Sequence, residues 1–386
     1  MSSPRPAARA PGRAPLWARL LVTAGVLLVV ASGGLLLGAE VLISQATRSV
    51  TQTNLLGGAG NQASAPPAAH HVTITGAVNV LLVGIDARPA QTTQPSRSDS
   101  IIILHVPASH DRAYLVSVPR DTLVHIPADP KTGYTGGDNK INAAFSSGSQ
   151  NGGGLPGGVS LLAATIKAAY GIGLDAAAVV DFSGFQQVVG VLGGVTMCVD
   201  ERTTSIHIGF TRAGKEEVPF TQDANGHLYP VPGVTPQVYR PGCQHLAAWQ
   251  ALDYVRQRDL LANGDGDYGR QRHQQQFLKA LFEQILSAGT LANPAKLAGV
   301  LDTVGKAMTV DSGGVSIPDW LYAMRGITGN GMATINTNNG HYDTVTVPGI
   351  GACEKLTATS LQLLADVRTD TVDQFVAAHP DWVSHS

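Results

Sequence analysis

The apolar positions of this chain occur in short runs that are closed by Gly, Pro or polar residues. Four runs have the length and bounds of strands that are buried on both faces, at 79–84, 100–106, 113–118 and 176–182. Helices are predicted at 160–170, 244–255 and 268–287. One more helix is predicted between them, with Ser183 as a possible N-cap and Gly193-Gly194 at its end. With a further strand at 195–199, this interleaving predicts an α/β fold, a three-layer α/β/α sandwich with a central mixed sheet.

The segments between these elements are expected to be irregular. Residues 146–158 are rich in Gly and are predicted to form a loop. Residues 202–241 are interrupted by Pro and Gly and are predicted to be a long loop region with room for one hairpin. After residue 287, two or three helices and a strand at 343–347 complete the domain as a C-terminal helical extension.

The N-terminal segment predicts the compartment. Residues 20–39 are 20 consecutive uncharged positions, and a helix of that length rises about 30 Å, the thickness of a bilayer core. Arg5, Arg9, Arg13 and Arg19 precede it, so residues 1–19 are expected in the cytoplasm and everything after residue 40 outside. We therefore predict a signal-anchor transmembrane helix, an extracytoplasmic stalk at 40–71 and a globular domain at 72–386, on a single-pass protein of the cell membrane. A cleaved signal peptide is the alternative.

Charge and cysteine content narrow the function classes. The formal net charge is −2, without the basic excess of a nucleic-acid-binding protein, so no nucleic-acid partner is expected. The cysteines Cys198, Cys243 and Cys353 lack the C-x-x-C spacing of a metal site. Because disulfides form outside the cytoplasm, we expect a Cys198–Cys243 disulfide and a free Cys353.

Polar residues cluster at the ends of the predicted strands, where ligands bind in α/β sheets. Asp86 follows the first strand, Asp99 precedes the second, and Arg120-Asp121 follow the third. If the first two strands are antiparallel, Asp86 and Asp99 meet at one edge, and two neighbouring carboxylates favour a hard cation such as Mg²⁺. The alternative is that both are ordinary turn residues.

The last long predicted helix carries polar residues on its apolar face. Arg270 and Gln274 extend the core-facing stripe, whereas Arg272 lies elsewhere on the helix. A buried guanidinium requires an anion, which is either a structural carboxylate or a phosphate. The nearby Arg256 and Arg258 favour a phosphate pocket, since Arg binds phosphate in a bidentate manner, and a helix end between them would let both converge.

Motifs of competing chemistries are absent from the sequence. There is no Gly-x-Ser-x-Gly nucleophile motif and no His-Glu-x-x-His metal motif, and the Gly-rich segment lacks the Gly-Lys-Ser/Thr ending of a phosphate-binding loop.

Together the clusters resemble the LytR–CpsA–Psr family of cell-envelope enzymes. The resemblance covers roughly residues 78–287 and rests on four motifs in order: Arg97-Ser-Asp-Ser100, Ser117-Val-Pro-Arg-Asp-Thr122, Lys140-Ile-Asn142, and Tyr254-Val-Arg-Gln-Arg258 with Asp267-x-Gly-Arg270. It implies a magnesium-dependent phosphotransferase that moves a glycopolymer from a polyprenyl-pyrophosphate carrier to peptidoglycan and forms a phosphodiester. The implied partners are the lipid-linked glycan donor, the peptidoglycan acceptor and the membrane.

The resemblance also implies roles for individual residues. Asp86 and Asp99 are expected to bind magnesium, and Lys140 and Asn142 to lie at the pocket rim. The expected pyrophosphate ligands are Arg97, Arg120, Arg256, Arg258, Arg270 and Gln274. Arg97, Arg120 and Asp121 are expected in catalysis, with Asp121 or Asp99 as the proton acceptor, and the prenyl tail in an apolar tunnel between sheet and helices.

Other functions stay open at this point. Many relatives have Arg at the position of His273, so a fixed positive charge is lost here.

A polyprenyl-phosphate binding protein without turnover and a pyrophosphatase that uses water as acceptor would both need the same pocket. A transcriptional regulator is disfavoured, because only about 20 residues would precede the anchor in the cytoplasm.

Overall fold

The architecture is a mixed sheet with helices packed on both faces. The computed structural model describes residues 51–61, 73–85, 97–286, 294–327 and 331–384. Within these ranges, no helix combines the length and the apolarity that a membrane crossing requires. The predicted anchor at 20–39 and the segment 1–19 lie outside the described residues.

The strands, in chain order, are β1 Thr51–Gln52, β2 Val78–Ile85, β3 Ser98–Val106, β4 Ala113–Ser117, β5 Leu123–Ile126, β6 Gly137–Lys140, β7 Ala176–Asp181, β8 Val195–Val199, β9 Thr203–Thr211, β10 Glu216–Glu217, β11 Phe220–Gln222, β12 Leu228–Pro230, β13 Val234–Tyr239, β14 Gly242–Leu246, β15 Met308–Asp311, β16 Met332–Asn336, β17 Thr344–Val347, β18 Gly351–Glu354 and β19 Val383–Ser384. The α-helices are α1 Asn142–Ser149, α2 Gly154–Tyr170, α3 Phe182–Leu192, α4 Ala248–Tyr254, α5 Gly266–Leu286, α6 Pro294–Ala307, α7 Ile317–Ala323, α8 Ala358–Thr369 and α9 Val372–Ala378.

Eight strands form the central sheet, in the order β1-β15-β7-β2-β3-β4-β16-β19. β2 runs antiparallel to β3 and parallel to β7, while β4 runs antiparallel to β3 and parallel to β16. The predicted central mixed sheet is therefore confirmed. The register places Ile85 opposite Ser98 and Ile102 opposite Ser117, so the ends of β2 and β4 and the start of β3 share one edge.

Both faces of the sheet are covered because its inner strands are apolar on both sides. On one face, Ile103 and Val116 pack in a core that includes Leu162 of α2 and Leu363 of α8. On the other face, Ile102, Leu104 and Leu115 pack with Trp320 of α7 and the half-buried Leu278 of α5. Burial on both faces is typical of near-continuous apolar strands, which is the pattern that predicted them.

The Gly-rich segment 146–158 was wrongly predicted as a loop, because α1 ends and α2 begins within it. A Cβ atom at Gly148 would lie 2.3 Å from the backbone oxygen of Gly157. The glycines therefore allow the two helices to approach closely, which is a packing requirement and not a turn signal.

The prediction of a loop region at 202–241 was also wrong. Five strands lie there, with β9, β10 and β13 in one small sheet and β11 with β12 in another. The strand at 195–199 exists, but it pairs with β14 in a separate two-stranded sheet and does not join the central one. In that pair Cys198 lies opposite Cys243, and the predicted disulfide between them is confirmed, while Cys353 is free and buried.

The cap of α3 differs from the prediction by two residues. Asp181, the last residue of β7, is the N-cap, and its Oδ1 accepts a hydrogen bond from the backbone N–H of Gly184 at 2.7 Å. Ser183 lies inside the helix. The helix ends before Gly193, which adopts the left-handed conformation with φ 80°, as its sequence predicted.

The two ends of the domain join the sheet. Residues 51–61, predicted as part of a stalk, contribute β1, and Asp311 Oδ2 accepts hydrogen bonds from the backbone N–H groups of Leu55 and Leu56 at 2.8 and 3.0 Å. The region after residue 287 contributes three strands of the central sheet in addition to helices, so it is part of the main fold.

Candidate active site

The candidate site lies at the sheet edge where β2 and β4 end and β3 begins. Arg120 and Asp121 follow β4 and Asp99 is the second residue of β3, so the antiparallel register brings them together. Arg120 Nη1 donates to Asp99 Oδ1 at 2.5 Å. Asp86 comes directly after Ile85, the last residue of β2, and lies outside the described residues.

Arg120 is surrounded by carboxylates. Its Nε lies 3.8 Å from Asp121 Oδ2 and 3.7 Å from Asp267 Oδ1, in addition to the bond with Asp99. Burial disfavours the charged guanidinium, but Asp267 and Asp99 outweigh it and raise the pKa of Arg120. Arg120 is therefore a permanently charged group, held at the strand end by its neighbours.

Arg270 enters the same cluster from the N-terminal part of α5. Its side chain is 8 % exposed, and its Nη2 lies 2.6 Å from Asp267 Oδ1 and donates to the backbone oxygen of Asp99 at 3.1 Å. Burial lowers the pKa of Arg270, Asp267 opposes this, and the charge of Arg120 lowers it further. The buried, core-facing position that the helical pattern predicted is confirmed.

Both arginines keep a donor without a protein acceptor. The Nε atoms of Arg120 and Arg270 are buried, and neither has a hydrogen-bond partner in the described part of the chain. A buried donor without an acceptor costs about 1–3 kcal/mol, more when it is charged. Two such donors in one cluster indicate a place for an anionic ligand.

Lys140 and Asn142 stand on the far side of Arg120. Lys140 Nζ lies 3.1 Å from Asp121 Oδ1, which fits a position at the rim. Asn142 is buried, and its backbone N–H donates to the backbone oxygen of Arg120 at 3.1 Å. Asn142 begins α1 and supports the turn that carries Arg120, and its place at the pocket rim stays a prediction.

Four further predicted residues lie around an apolar cavity or at the surface. Arg256 and Gln274 line the cavity, and the Arg256 guanidinium stacks over the Phe182 ring at 4.3 Å. Arg258 is exposed and lies 3.5 Å from Asp259, but its charge acts on Arg270. Because α4 ends at Tyr254, before both arginines, the helix does not force them in opposite directions. Arg97 is exposed at the start of β3.

The apolar cavity lies between the sheet and helices α3 and α5. Its lining is nearly all hydrocarbon, from Leu82, Ile102, Val180, Phe185, Phe277 and Leu281 among others, and Ser100, Asp181, Arg256 and Gln274 are its polar members. A second cavity is polar, and it shares Asp121 and Asp267 with the arginine cluster. Tyr268, Tyr342 and Thr344 line it. The charged cluster therefore shares residues with the polar cavity, while Ser100, the residue after Asp99, lines the apolar one.

Sequence reasoning missed a second charged cluster on another face of α5. Arg272 pairs with Asp200, Glu201 and Asp265, although it was assigned away from the buried face. The neighbouring His273 is fully buried. The adjacent acids at the end of β8 and the Arg-His pair in α5 were the available signal, but their pairing depends on tertiary structure.

Comparison with known proteins gives consistent findings. The LytR_cpsA_psr family model matches residues 43–361. The probable cell wall biosynthesis protein LcpB of Corynebacterium glutamicum is 29 % identical over 265 residues, which are 66 % of this chain and 52 % of that protein. The polyisoprenyl-teichoic acid–peptidoglycan teichoic acid transferase TagV of Bacillus subtilis is 30 % identical over 220 residues, which are 57 % of this chain and 46 % of that protein. The chain spans about half the length of these curated relatives.

Solved structures share the fold. The crystal structure of B. subtilis TagV has a TM-score of 0.54 at 23 % identity, over 78 % of this chain and 99 % of that one. The protein gbs0355 from Streptococcus agalactiae has a TM-score of 0.56 at 21 % identity, over 77 % and 88 %. At these identities the likeness establishes the fold and leaves the chemistry to the residues of the site.

Proposed function

The chain belongs to the LytR–CpsA–Psr family, and on that premise we propose that it transfers a glycopolymer from a polyprenyl-pyrophosphate carrier to peptidoglycan, with formation of a phosphodiester. One observation carries the proposal. The buried Nε atoms of Arg120 and Arg270 have no acceptor among the described residues, in a cluster that shares Asp121 and Asp267 with a polar cavity. Ser100, the residue after Asp99, lines the apolar cavity. A lipid-linked pyrophosphate has the matching parts, an apolar chain, two phosphates and a polar glycan.

Arg120 and Arg270 bind the pyrophosphate in this proposal. Each offers a charged donor that no described protein group accepts, and Arg binds phosphate oxygens in a bidentate manner. Arg258, and Arg97 at the start of β3, add positive charge from the exposed side. The apolar cavity receives the first prenyl units, and Arg256 and Gln274 contact the phosphate at its polar end.

Magnesium is part of the proposal, held by Asp86 and Asp99. Asp99 fits the ion because only its Oδ1 is bonded among the described residues, and carboxylate oxygen is the ligand that magnesium prefers. Asp86 is next in sequence to Ile85, which pairs with Ser98 at that edge of the sheet. When bound, magnesium would neutralise charge on the pyrophosphate oxygens.

The protein residues position the reactants and move one proton. A sugar hydroxyl of peptidoglycan attacks the phosphorus that bears the glycopolymer, a new P–O bond forms, and the bond to the second phosphate breaks to release polyprenyl monophosphate. Asp121 accepts the hydroxyl proton in this proposal, because it lines the polar cavity where the acceptor enters. Arg120 and Arg270 stabilise the charge that develops on the phosphate oxygens.

The proposed donor requires the membrane. Residues 20–39 would anchor the chain, with residues 1–19 in the cytoplasm and the domain outside, as the charge pattern predicts. A single span brings the pocket near the headgroups, where the pyrophosphate of the carrier lies.

The test is a transfer assay on the full chain in detergent, with a synthetic polyprenyl-pyrophosphate oligosaccharide, magnesium and peptidoglycan fragments. The proposal predicts a phosphodiester-linked glycan–peptidoglycan product by mass and an equal amount of polyprenyl monophosphate. Monophosphate with free phosphorylated glycan, at saturating acceptor, would replace the ligase with a pyrophosphatase. Tight carrier binding without turnover would leave a carrier-binding protein.

A further inference from the structure

A second cluster of ionisable groups joins α5 to the end of β8. It consists of Asp200, Glu201, Asp265, Arg272 and His273, whose side chains are 20 %, 2 %, 20 %, 18 % and 0 % exposed. Arg272 donates to all three carboxylates. The cluster is separate from the pyrophosphate site proposed above, because Arg272 and His273 lie on other faces of α5 than Arg270 and Gln274.

The charges in this cluster do not balance. Three carboxylates face one guanidinium, so with a neutral imidazole the group carries a formal charge of −2. Burial penalises an unbalanced charge strongly unless it is paired or bound to a metal. A divalent cation would neutralise the cluster completely, whereas protonation of His273 would leave one negative charge.

His273 lacks the bonds that a buried imidazole normally makes. Both ring nitrogens are buried without a hydrogen-bond partner in the part of the chain that the structure describes. The ring stacks on Tyr254 at 4.2 Å between centroids, which fixes its plane, and its Nε2 lies 3.6 Å from Asp200 Oδ1 and 3.5 Å from Glu201 Oε1. These distances are too long for N–H···O hydrogen bonds.

The same distances suit a metal ion between the three atoms. Ligands at about 2.0–2.1 Å from a tetrahedral ion lie about 3.3–3.4 Å from one another. The ligand atoms of Asp200, Glu201 and His273 all lie within 4.8 Å of one another. Arg272 occupies the other oxygen of Asp200, Oδ2, and shares Glu201 Oε1, which has a second lone pair.

We propose that Asp200, Glu201 and His273 form a zinc site, with Asp200 Oδ1, Glu201 Oε1 and His273 Nε2 as ligands and water in the fourth position. An imidazole with two carboxylates suits zinc, whereas magnesium takes oxygen ligands only. The ion would tie α5, which carries Arg270 and Gln274, to the end of β8. The ion would therefore hold the helix that presents the pyrophosphate ligands against the end of β8.

The test measures zinc binding by the full chain, stripped with EDTA, against a chromophoric chelator. Wild type is expected to bind one zinc tightly in excess magnesium. His273→Arg is expected to bind it at least about tenfold more weakly, and its guanidinium supplies a positive charge to the acidic cluster, so it should fold. His227→Gln is the matched control, because His227 is 71 % exposed and also lies 3.1 Å from a carboxylate, Asp223.

X-ray absorption on the zinc-loaded chain identifies the ligands. One imidazole and oxygen ligands at about 2.0–2.2 Å are expected in wild type and in His227→Gln. Asp200→Asn gives a second test if His273→Arg does not fold, since it keeps the shape of the side chain and should also weaken zinc. Equal zinc binding by wild type and by whichever of these two variants folds, or none by wild type, overturns the proposal. Neither readout depends on transfer activity.

Discussion

Replacing Arg272 by Met removes the cation that three carboxylates share while keeping most of the side-chain volume. Glu201 is 2 % exposed and Asp200 and Asp265 are each 20 % exposed, so water cannot replace the lost partner fully. Glu201 keeps one other bond, from the backbone N–H of Asn263 at 2.7 Å. The variant therefore leaves buried negative charges facing one another.

The magnitude follows from the burial. The ion pairs of Arg272 with Asp200 and Glu201 are each 2.5 Å long. At an effective dielectric of about 20, each is worth roughly 6–7 kcal/mol in Coulomb energy, and desolvation cancels much of it. Removal of one partner of a buried pair typically costs about 3–5 kcal/mol. We expect Arg272→Met to lower the free energy of unfolding by that amount, a large share of the roughly 5–15 kcal/mol of a typical domain.

The loss should also depend on pH. Burial raises the pKa of Asp200 and Glu201, but the neighbouring His273 and Arg272 outweigh it and hold both pKa values below the ordinary range. A carboxylate with a lowered folded pKa stabilises the fold above its unfolded pKa of about 4, and this stabilisation is lost as pH falls toward the folded pKa. The difference between wild type and Arg272→Met should therefore be largest near pH 7 and smaller at pH 3.

The assay is denaturant unfolding of both proteins at pH 7 and pH 3 with EDTA present, so that bound metal does not contribute. Arg112→Met is the matched control, since Arg112 is 45 % exposed and also pairs with two carboxylates, Asp111 and Asp373. It should have little effect at either pH, because exposed ion pairs stabilise weakly. Equal losses for the two variants, or an Arg272→Met loss that is the same at both pH values, would refute the reasoning.

Three other substitutions test the packing around the site. Gln275→Leu removes three hydrogen bonds from a buried amide to β4 and β16 and should cost about 1–3 kcal/mol in denaturant unfolding; an unchanged midpoint would contradict this. Burial lowers the pKa of His105, so the stability of the fold should fall as pH drops below about 6.5. His105→Gln should flatten this pH dependence in thermal unfolding. A pH profile parallel to that of wild type would show that His105 is not its source. Gly184→Ala would place a Cβ atom 1.9 Å from the backbone oxygen of Ala307, so it should lower the free energy of unfolding by several kcal/mol. In the same helix, the Cβ atom of Gly190→Ala meets nothing within 4 Å, so that variant should be neutral or stabilising. Similar unfolding midpoints for the two variants would be inconsistent with the close contact between α3 and the end of α6.

The sequence allowed the inner strands and the sheet edge of the site to be predicted, because these depend on local pattern. Apolar runs identify β2, β3, β4 and β7, and the polar residues that follow them must lie where the strands end. The helical spacing of Arg270 and Gln274 placed both on the inward face of α5, and Arg270 is indeed buried.

The features that sequence reasoning missed depend on distant partners. Gly148 resembles a loop glycine until Gly157 is seen to pack against it. β16 enters the central sheet only by pairing with β4, more than 200 positions earlier in the chain. Arg272 resembles a surface residue, because the carboxylates of Asp200 and Glu201 that bury it come from another element.

The most direct measurement of the central claim is the transfer rate of Arg120→Met relative to wild type and to Arg112→Met, with carrier binding measured in parallel. If Arg120 stabilises the charge that develops on the transferred phosphate, its loss should slow transfer by about 10³-fold or more, and Arg112→Met should transfer at the wild-type rate. Transfer by Arg120→Met within about tenfold of wild type, with the fold intact, would contradict the proposed role of the arginine cluster.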